Sequence, residues 1–494
     1  MYLGEPVFSA GTQYGGTRLT KPRKPKGIPA VLVAHSTNEA RIINVWREGA
    51  ATESLSTMAT SKQNTGGYTG GMELMKTGLE RISQLVKEHP DRKVQTIMHN
   101  VNKETLRWIH KRQDSNKAHG VDRVSRAEYE ENIEENLDDL MARMKQFSYR
   151  PQPVRRTYIP KDGSDQMRPL GVPAYEDKLV QGVMADILAA IYEQKFYDFS
   201  YGFRPGRSQH QAITALDKML SDWTNWVVDA DIKSFFDTVA HEWLMKFLEH
   251  DIEDKNFLRY VKRFLKAGIM EDGKRHTSEE GVPQGGLISP VLSNVYLHYV
   301  IDKWFEEAVK KSCKGRAGMI RFADDVVFCF ANEEDARRFY VTLKTRLAKF
   351  NLKLSEEKSK IIKFGRKAGG EAGKFDFLGF THSTVKGKNG LGKVKRVTSQ
   401  KKLKAKRQVV KKWLRENMHL PIKELIPKLN AKLRGHYNYY GITGNYEAMD
   451  AFRKYAQDRL EATLNRRGAK LKGDTFWRIL KAYPIIRPRI VHRV

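Results

Sequence analysis

The chain reads as an α+β protein built on an antiparallel βαββαβ sheet and closed by a basic helical tail. Two observations predict this. First, Trp226–Ile232 is a β-prone run. Helices and a turn, the apolar hairpin Met319–Phe330, another helix and the strand Lys360–Phe364 follow it in order. Second, charge is uneven: residues 383–494 hold 29 Lys+Arg against 7 Asp+Glu, which is +22 of the chain's +30. An excess of that size predicts a polyanionic partner.

The 494 residues suffice for two to four domains, and 40% hydrophobic content supports real cores. There is no apolar run of about 18 residues, so no membrane helix is expected. The N-terminus lacks a basic region followed by an apolar stretch, so no secretory signal is expected. Cys313 and Cys329 are the two cysteines. That argues against a disulfide framework, suits a reducing cytosol and excludes a Cys-x-x-Cys zinc site. The expected compartment is cytoplasmic.

Residues 1–70 read as a flexible basic arm, with a short helix near Asn38–Arg47. Helical spacing begins near Gly71 and stops at His89-Pro90; a second helix is expected over Lys93–Lys111. Ser125 and Glu128 form a capping box for a helix running to about Met144. Tyr149–Pro160 and Met167–Val172 read as a hairpin with Lys161 and Arg168 at or beside its tip. The helix Ala174–Phe196, the loop Tyr201–Arg207 and the helix Ser208–Leu220 lead to the first strand. Asp229, Asp231 and Lys233 share one face of that strand. Beyond it come Phe235-Phe236-Asp237, with Asp237 read as a helix cap, helices at His241–His250 and Glu253–Ala267, and a charged hairpin at Ile269–Thr277. Gly281-Val282-Pro283-Gln284-Gly285-Gly286 introduces a helix continuing to about Ala308. Downstream lie the Asp324-Asp325 hairpin, the helix Asn332–Phe350, the strands Lys360–Phe364 and Phe375–Thr381, and a helical tail.

An isolated Asp-Asp turn is ordinarily just solvated. Here the topology can set a strand end with Asp231 beside the turn with Asp324 and Asp325. Three carboxylates so placed repel unless divalent cations neutralise them. Mg²⁺ takes one or two carboxylates and completes its shell with water and phosphate oxygens, and two such ions suit an in-line displacement at phosphorus.

At this point the chain resembles the reverse transcriptases of bacterial group II intron maturases, of the type without an endonuclease. The resemblance is carried in order by Ile159–Pro173, Tyr201–Arg207, Val228–Asp237, Gly281–Asn294, Arg321–Asp325, Leu354–Lys358 and Phe377–Phe380. It continues into Leu433-Arg434-Gly435-His436-Tyr437-Asn438-Tyr439-Tyr440, and covers about residues 75–494. It implies a right-hand polymerase: fingers with an N-terminal extension and part of the palm at 71–225, the catalytic palm at 226–382, and a thumb with maturase-specific RNA-binding tail at 383–494. Asp231 and Asp324 would bridge two Mg²⁺ ions, for which Mn²⁺ can substitute. Asp325 would be auxiliary, and the Ile232 carbonyl a further ligand. Phe236 would exclude a 2′-hydroxyl, with Phe235 in the core. Lys161 and Arg168 would clamp the triphosphate, Gln284 and Gly285 would line the nucleotide, and Lys358 would assist pyrophosphate departure. Phe377–Phe380 would support the primer end. Phe322 stands where the family often has Tyr, losing a hydroxyl and no carboxylate. In the tail, Lys401, Lys402, Lys404, Arg407, Lys411 and Arg434 would contact RNA phosphates, while Tyr437, Tyr439 and Tyr440 divide between stacking and packing.

The implied activity is RNA-templated DNA synthesis from dNTPs, with binding of group II intron RNA to assist splicing and mobility. The implied partners are the intron RNA, an RNA template with DNA primer, and target DNA. No membrane is expected; the sequence leaves the oligomeric state open, with a monomer within a ribonucleoprotein as one arrangement. The rival readings are a splicing cofactor with a vestigial polymerase site, a domesticated reverse transcriptase in defence or repair, and an RNA-templated RNA polymerase.

Overall fold

The computed structural model describes residues 69–160, 167–277, 279–365, 372–386, 392–467 and 473–494. The arm expected over residues 1–70, apart from its last two residues, and Lys161 lie outside them.

The central sheet has the order β6-β7-β3-β8, formed by Ala317–Phe322, Asp325–Phe330, Trp226–Ala230 and Lys360–Lys363, with every neighbouring pair antiparallel. This is the expected βαββαβ arrangement. Its inner strands β7 and β3 are largely buried on both faces, so they read as near-continuous apolar runs. Val228, Phe328 and Phe330 join the large core formed with the helices on one side. Val227, Val327 and Cys329 alternate with them into a second core under Leu216 and Leu220 of the helix Gln209–Asp222.

One crossover helix begins at Ser289–Leu297 and continues, through wide π-helical turns at His298–Asp302 and Phe305–Val309, to Ser312. The other crossover is the helix Glu333–Lys349. A second sheet has the order β2-β1-β4-β5. It joins the antiparallel pair β1 (Val154–Pro160) and β2 (Met167–Val172) to the short hairpin β4 (Ile269–Glu271) and β5 (Lys274–His276). The tail packs its own core, with Leu414, Leu425, Leu429, Leu433, Phe452 and Leu460 inside it.

Several expectations are corrected. The helix expected over Lys93–Lys111 is confined to Lys103–Arg112, because Asn102 and Thr105 cap it reciprocally. Ahead of it, the Ile97 and Met98 N–H groups donate to the Asp254 carboxylate, each at 2.8 Å. The helix after Ser125 keeps its capping box but breaks at Asn132, giving Arg126–Glu131 and Ile133–Lys145. Asp237 does not cap. It lies inside the short helix Phe235–Thr238, whose preceding residue is Ser234 at φ 48°.

The single strand expected at Phe375–Thr381 is a hairpin of β9 (Lys374–Phe377) and β10 (Phe380–Lys386). Leu378 and Gly379 form its two-residue loop at φ 48° and 81°, the left-handed pair that a tight hairpin requires. Beside β10 lies β11 (Gly392–Thr398), whose alternating Lys393-Val394-Lys395 had been hidden within a basic run.

Candidate active site in the central sheet

β3 and β7 pair from Trp226↔Phe330 to Ala230↔Val326. Asp231 follows the last paired residue of β3 and Asp325 precedes the last paired residue of β7, so the end of β3 lies beside the start of β7. β6 and β7 pair through Phe322↔Asp325, so Ala323 and Asp324 alone form the turn and Asp325 already opens the strand. Ala323 sits at φ 56°, as the primed turns of two-residue hairpins demand.

On the other side, the end of β3 is tied to the segment before β8. Ile232 bridges Leu354, and Ser355 N–H donates to the Asp231 carbonyl at 2.8 Å. Asp231 N–H donates to Ser359 Oγ at 3.1 Å. The Asp231 carboxylate takes the Lys358 ammonium at 3.0 Å. Thus Lys358, expected near a departing pyrophosphate, rests on the carboxylate. Asp324 is half-buried and Asp325 exposed.

Asp229 faces the same side as Asp231. Burial first, then the negative charges of Asp231 and Asp376, push its carboxyl up to about 7.

Among the described residues no group of three or more His, Cys, Asp or Glu side chains is gathered to hold a metal ion. The donors form two clusters, a strand end and a hairpin, and not a closed cage. They are oxygen atoms, and Asp231 already attracts one cation. This fits a hard divalent ion that completes its shell with water and phosphate.

The walls come from neighbouring segments. Phe235 is buried, while Phe236 is half-buried with its ring edge-on at 5.3 Å. Val282 N–H donates to the Phe236 carbonyl at 2.7 Å, which sets the Pro283-Gln284-Gly285 turn beside Phe236. The Gln284 carbonyl accepts from Gly171 N–H of β2 at 2.6 Å. Gly285 stands at φ 113°, and a Cβ there would come within 2.5 Å of the Gly171 carbonyl. So Gln284 and Gly285 are joined through β2 to half-buried Arg168.

In the helix Gln400–Glu416, Lys401, Lys404 and Lys411 are exposed and Lys402 is half-buried. Arg407 packs over the Tyr455 ring at 5.3 Å, so it is partly engaged in the tail's own packing. Arg434 is exposed. Tyr437 and Tyr440 are buried in the tail's core. Tyr439, half-buried, donates to the Leu378 carbonyl at 2.9 Å. Phe377 and Phe380 are buried. The sequence reading missed Arg321, Asp302 and Asn294. The available signal was an arginine inside an otherwise apolar strand.

The family described as "Reverse transcriptase (RNA-dependent DNA polymerase)" matches residues 159–382, and "Group II intron, maturase-specific domain" matches residues 403–483. The chain is 42% identical over 171 residues to "Group II intron-encoded protein LtrA" of Lactococcus lactis subsp. cremoris, covering 35% of this chain and 28% of that one. It is 40% identical over 192 residues to "Protein YkfC" of Escherichia coli (strain K12), covering 38% and 50%. The matched segment therefore spans half or less of these relatives. Telomerase from Candida albicans, solved with a fragment of telomeric RNA, aligns at a TM-score of 0.40 with 11% identity, covering 73% of this chain and 66% of that one. A reverse transcriptase match and, after it, a group II intron maturase-specific match thus stand in this order on one chain, and over part of its length the chain is similar to a group II intron-encoded protein.

Proposed function

We propose that the protein is an RNA-directed DNA polymerase that also binds a group II intron RNA and assists its splicing and mobility. The observation that supports this reading is the β3–β7 pairing up to Ala230↔Val326, which leaves Asp231 and Asp325 next to the last pair, within the reverse transcriptase match. The fingers would occupy 71–225, the palm 226–382, and the thumb with the maturase tail 383–494.

In the reaction, a primer 3′-hydroxyl attacks the α-phosphate of a dNTP and pyrophosphate leaves. Asp231, Asp324, the Ile232 carbonyl and the auxiliary Asp325 would hold two Mg²⁺ ions, with Mn²⁺ as a substitute. When bound, these ions neutralise phosphate charge and favour the attacking hydroxyl in its ionised form. Lys161 and Arg168 hold the triphosphate, and Gln284 and Gly285 bound its pocket. The Phe236 ring occupies the space a 2′-hydroxyl would need. Lys358 must leave Asp231 for cations to bind there, which frees its ammonium for the leaving pyrophosphate. Template RNA, primer and target DNA meet the basic tail through phosphate contacts from Lys401, Lys402, Lys404, Lys411 and Arg434, with a smaller share from Arg407.

Primer extension on an RNA template is the test. Asp324→Ala should lower the rate by at least ~10²-fold, and Asp325→Asn by less. Phe236→Ala should admit ribonucleotides. Equal, trace extension by wild type and Asp324→Ala would leave the splicing-cofactor reading in its place. Indifference to Phe236→Ala would favour an RNA polymerase.

A further inference from the structure

The side of the β6–β7 hairpin turned away from solvent carries a buried ion pair with no assigned role. Arg321 of β6 and Asp302 both have fully buried side chains. Arg321 Nε donates to Asp302 Oδ1 at 2.7 Å, and Nη2 to Oδ2. Nη1 donates to Asn294 Oδ1 at 2.8 Å and to the Ala323 carbonyl at 3.1 Å. Asn294 Nδ2 donates to the Gly202 carbonyl at 2.7 Å. Gly202 in turn lies so close that a Cβ there would come within 2.2 Å of the Ala323 nitrogen. The Tyr201–Arg207 loop, prominent in the sequence, is thereby fastened under the turn. Tyr201 N–H donates to the Arg321 carbonyl at 2.8 Å, and Arg321 N–H to the Phe199 carbonyl at 2.9 Å.

Stability alone does not account for this set, since a buried ion pair is often no better than an apolar pair of similar volume. His298 does not share the Asp302 charge as a cation. Its Nδ1 is 3.9 Å away, and burial pushes the ring's pKa down to about 4. The guanidinium's distinctive contact is the Ala323 carbonyl, which belongs to the peptide bond leading into Asp324. Ala323 is in the left-handed region, unfavourable for a residue with a Cβ. Mutual repulsion among Asp231, Asp324 and Asp325 also works against the turn. A fixed Ala323–Asp324 peptide plane sets the direction of the Asp324 side chain. The π-helical turn ending at Asp302 widens the helix where that carboxylate reaches Arg321, a local cost typical of functional sites.

We propose that Arg321, Asp302 and Asn294 are positioning residues that hold the Asp324 carboxylate in its cation-binding direction. This rests on the polymerase reading above.

The test uses the full-length chain. A double variant, Arg321→Met with Asp302→Leu, removes both charges at similar volume. Its thermal unfolding temperature should equal or exceed that of wild type. Its Mn²⁺ affinity, read by electron paramagnetic resonance, should fall about 10-fold, as when support to a metal ligand is lost. Its kcat for primer extension should fall about 100-fold, the scale of a small misplacement at a reacting centre, with the dNTP KM little changed. A folded double variant with wild-type Mn²⁺ affinity and kcat overturns the proposal. Should the double variant not fold, Arg321→Lys decides. It keeps the charge but cannot reproduce the fork of donors, and wild-type affinity and rate in it likewise overturn the proposal. If wild type itself extends no primer, the polymerase reading fails separately, while a loss of Mn²⁺ affinity in the variant still supports the positioning role.

Discussion

Single side chains in this protein divide between those that serve the site and those that carry the cost of burial. Asp229 and Asp231 are two residues apart on one strand, yet Asp231 meets Lys358 while Asp229 is pushed up to about 7 by burial and its acidic neighbours. Asp229→Asn should therefore slow primer extension far less than Asp231→Asn. His382 shows the second kind. Its ring stacks on Phe375 at 5.0 Å, neither nitrogen has a hydrogen-bond partner, and burial first, then Arg396, holds its pKa down at about 3. A histidine kept neutral in the fold takes a proton more readily when unfolded. Its contribution is thus complete above the unfolded pKa near 6.5 and is lost as pH falls toward 3, by up to about 1.4 kcal/mol per pH unit. Asp177, raised to about 7 by burial, works in the opposite direction, so the comparison must be made between variants. Across pH 6.5 to 4, the thermal midpoint of His382→Phe should fall less steeply than that of wild type. Parallel curves would contradict this.

Two hairpins of two-residue loop show how an element is placed. The β6–β7 turn was visible in the sequence as a polar break between apolar runs, since alternation and turn chemistry are local. The β9–β10 turn was not, because Phe377-Leu378-Gly379-Phe380 reads as one apolar strand. Its reversal depends on Leu378 accepting φ 48° and on contacts from the tail: Tyr439 donates to the Leu378 carbonyl, and a Cβ on Gly379 would lie 3.0 Å from Tyr440 Oη. Gly379→Ala should destabilise the fold by about 1 kcal/mol or more, because its φ of 81° is costly for a residue with a Cβ. Tyr439→Phe should cost about 1 kcal/mol through the lost hydrogen bond. Urea unfolding measures both, and additive losses would show that the two act independently.

On the scale of the molecule, the tail's core is distinct from those on the two faces of the sheet but takes in Ile213 of the helix Gln209–Asp222, and most of the net charge lies in the C-terminal part. With +22 of +30 in residues 383–494, nucleic-acid affinity should fall steeply with salt. The triple variant Lys401→Ala/Lys404→Ala/Lys411→Ala removes three exposed cations from one helix. It should lower the slope of log K against log salt by about 2 to 3, at roughly 0.7–0.9 per lost phosphate contact. Binding titrations at several salt concentrations test this; an unchanged slope would move the RNA surface elsewhere. No helix among the described residues is long and apolar enough to cross a membrane.

The linear order of motifs, the sheet's connectivity, the acidic turn and the basic tail could all be read from the residues. Each is written in local pattern, in composition or in chain order. The side-chain partners around the site could not. The approach of Asp231 to the Asp324-Asp325 turn was expected from the topology, but these partners were not: Lys358 meets Asp231 across 127 residues, and Arg321 meets Asp302 across 19. Such partnerships depend on which side chains the core brings together once water is excluded, and no local preference of either partner encodes them.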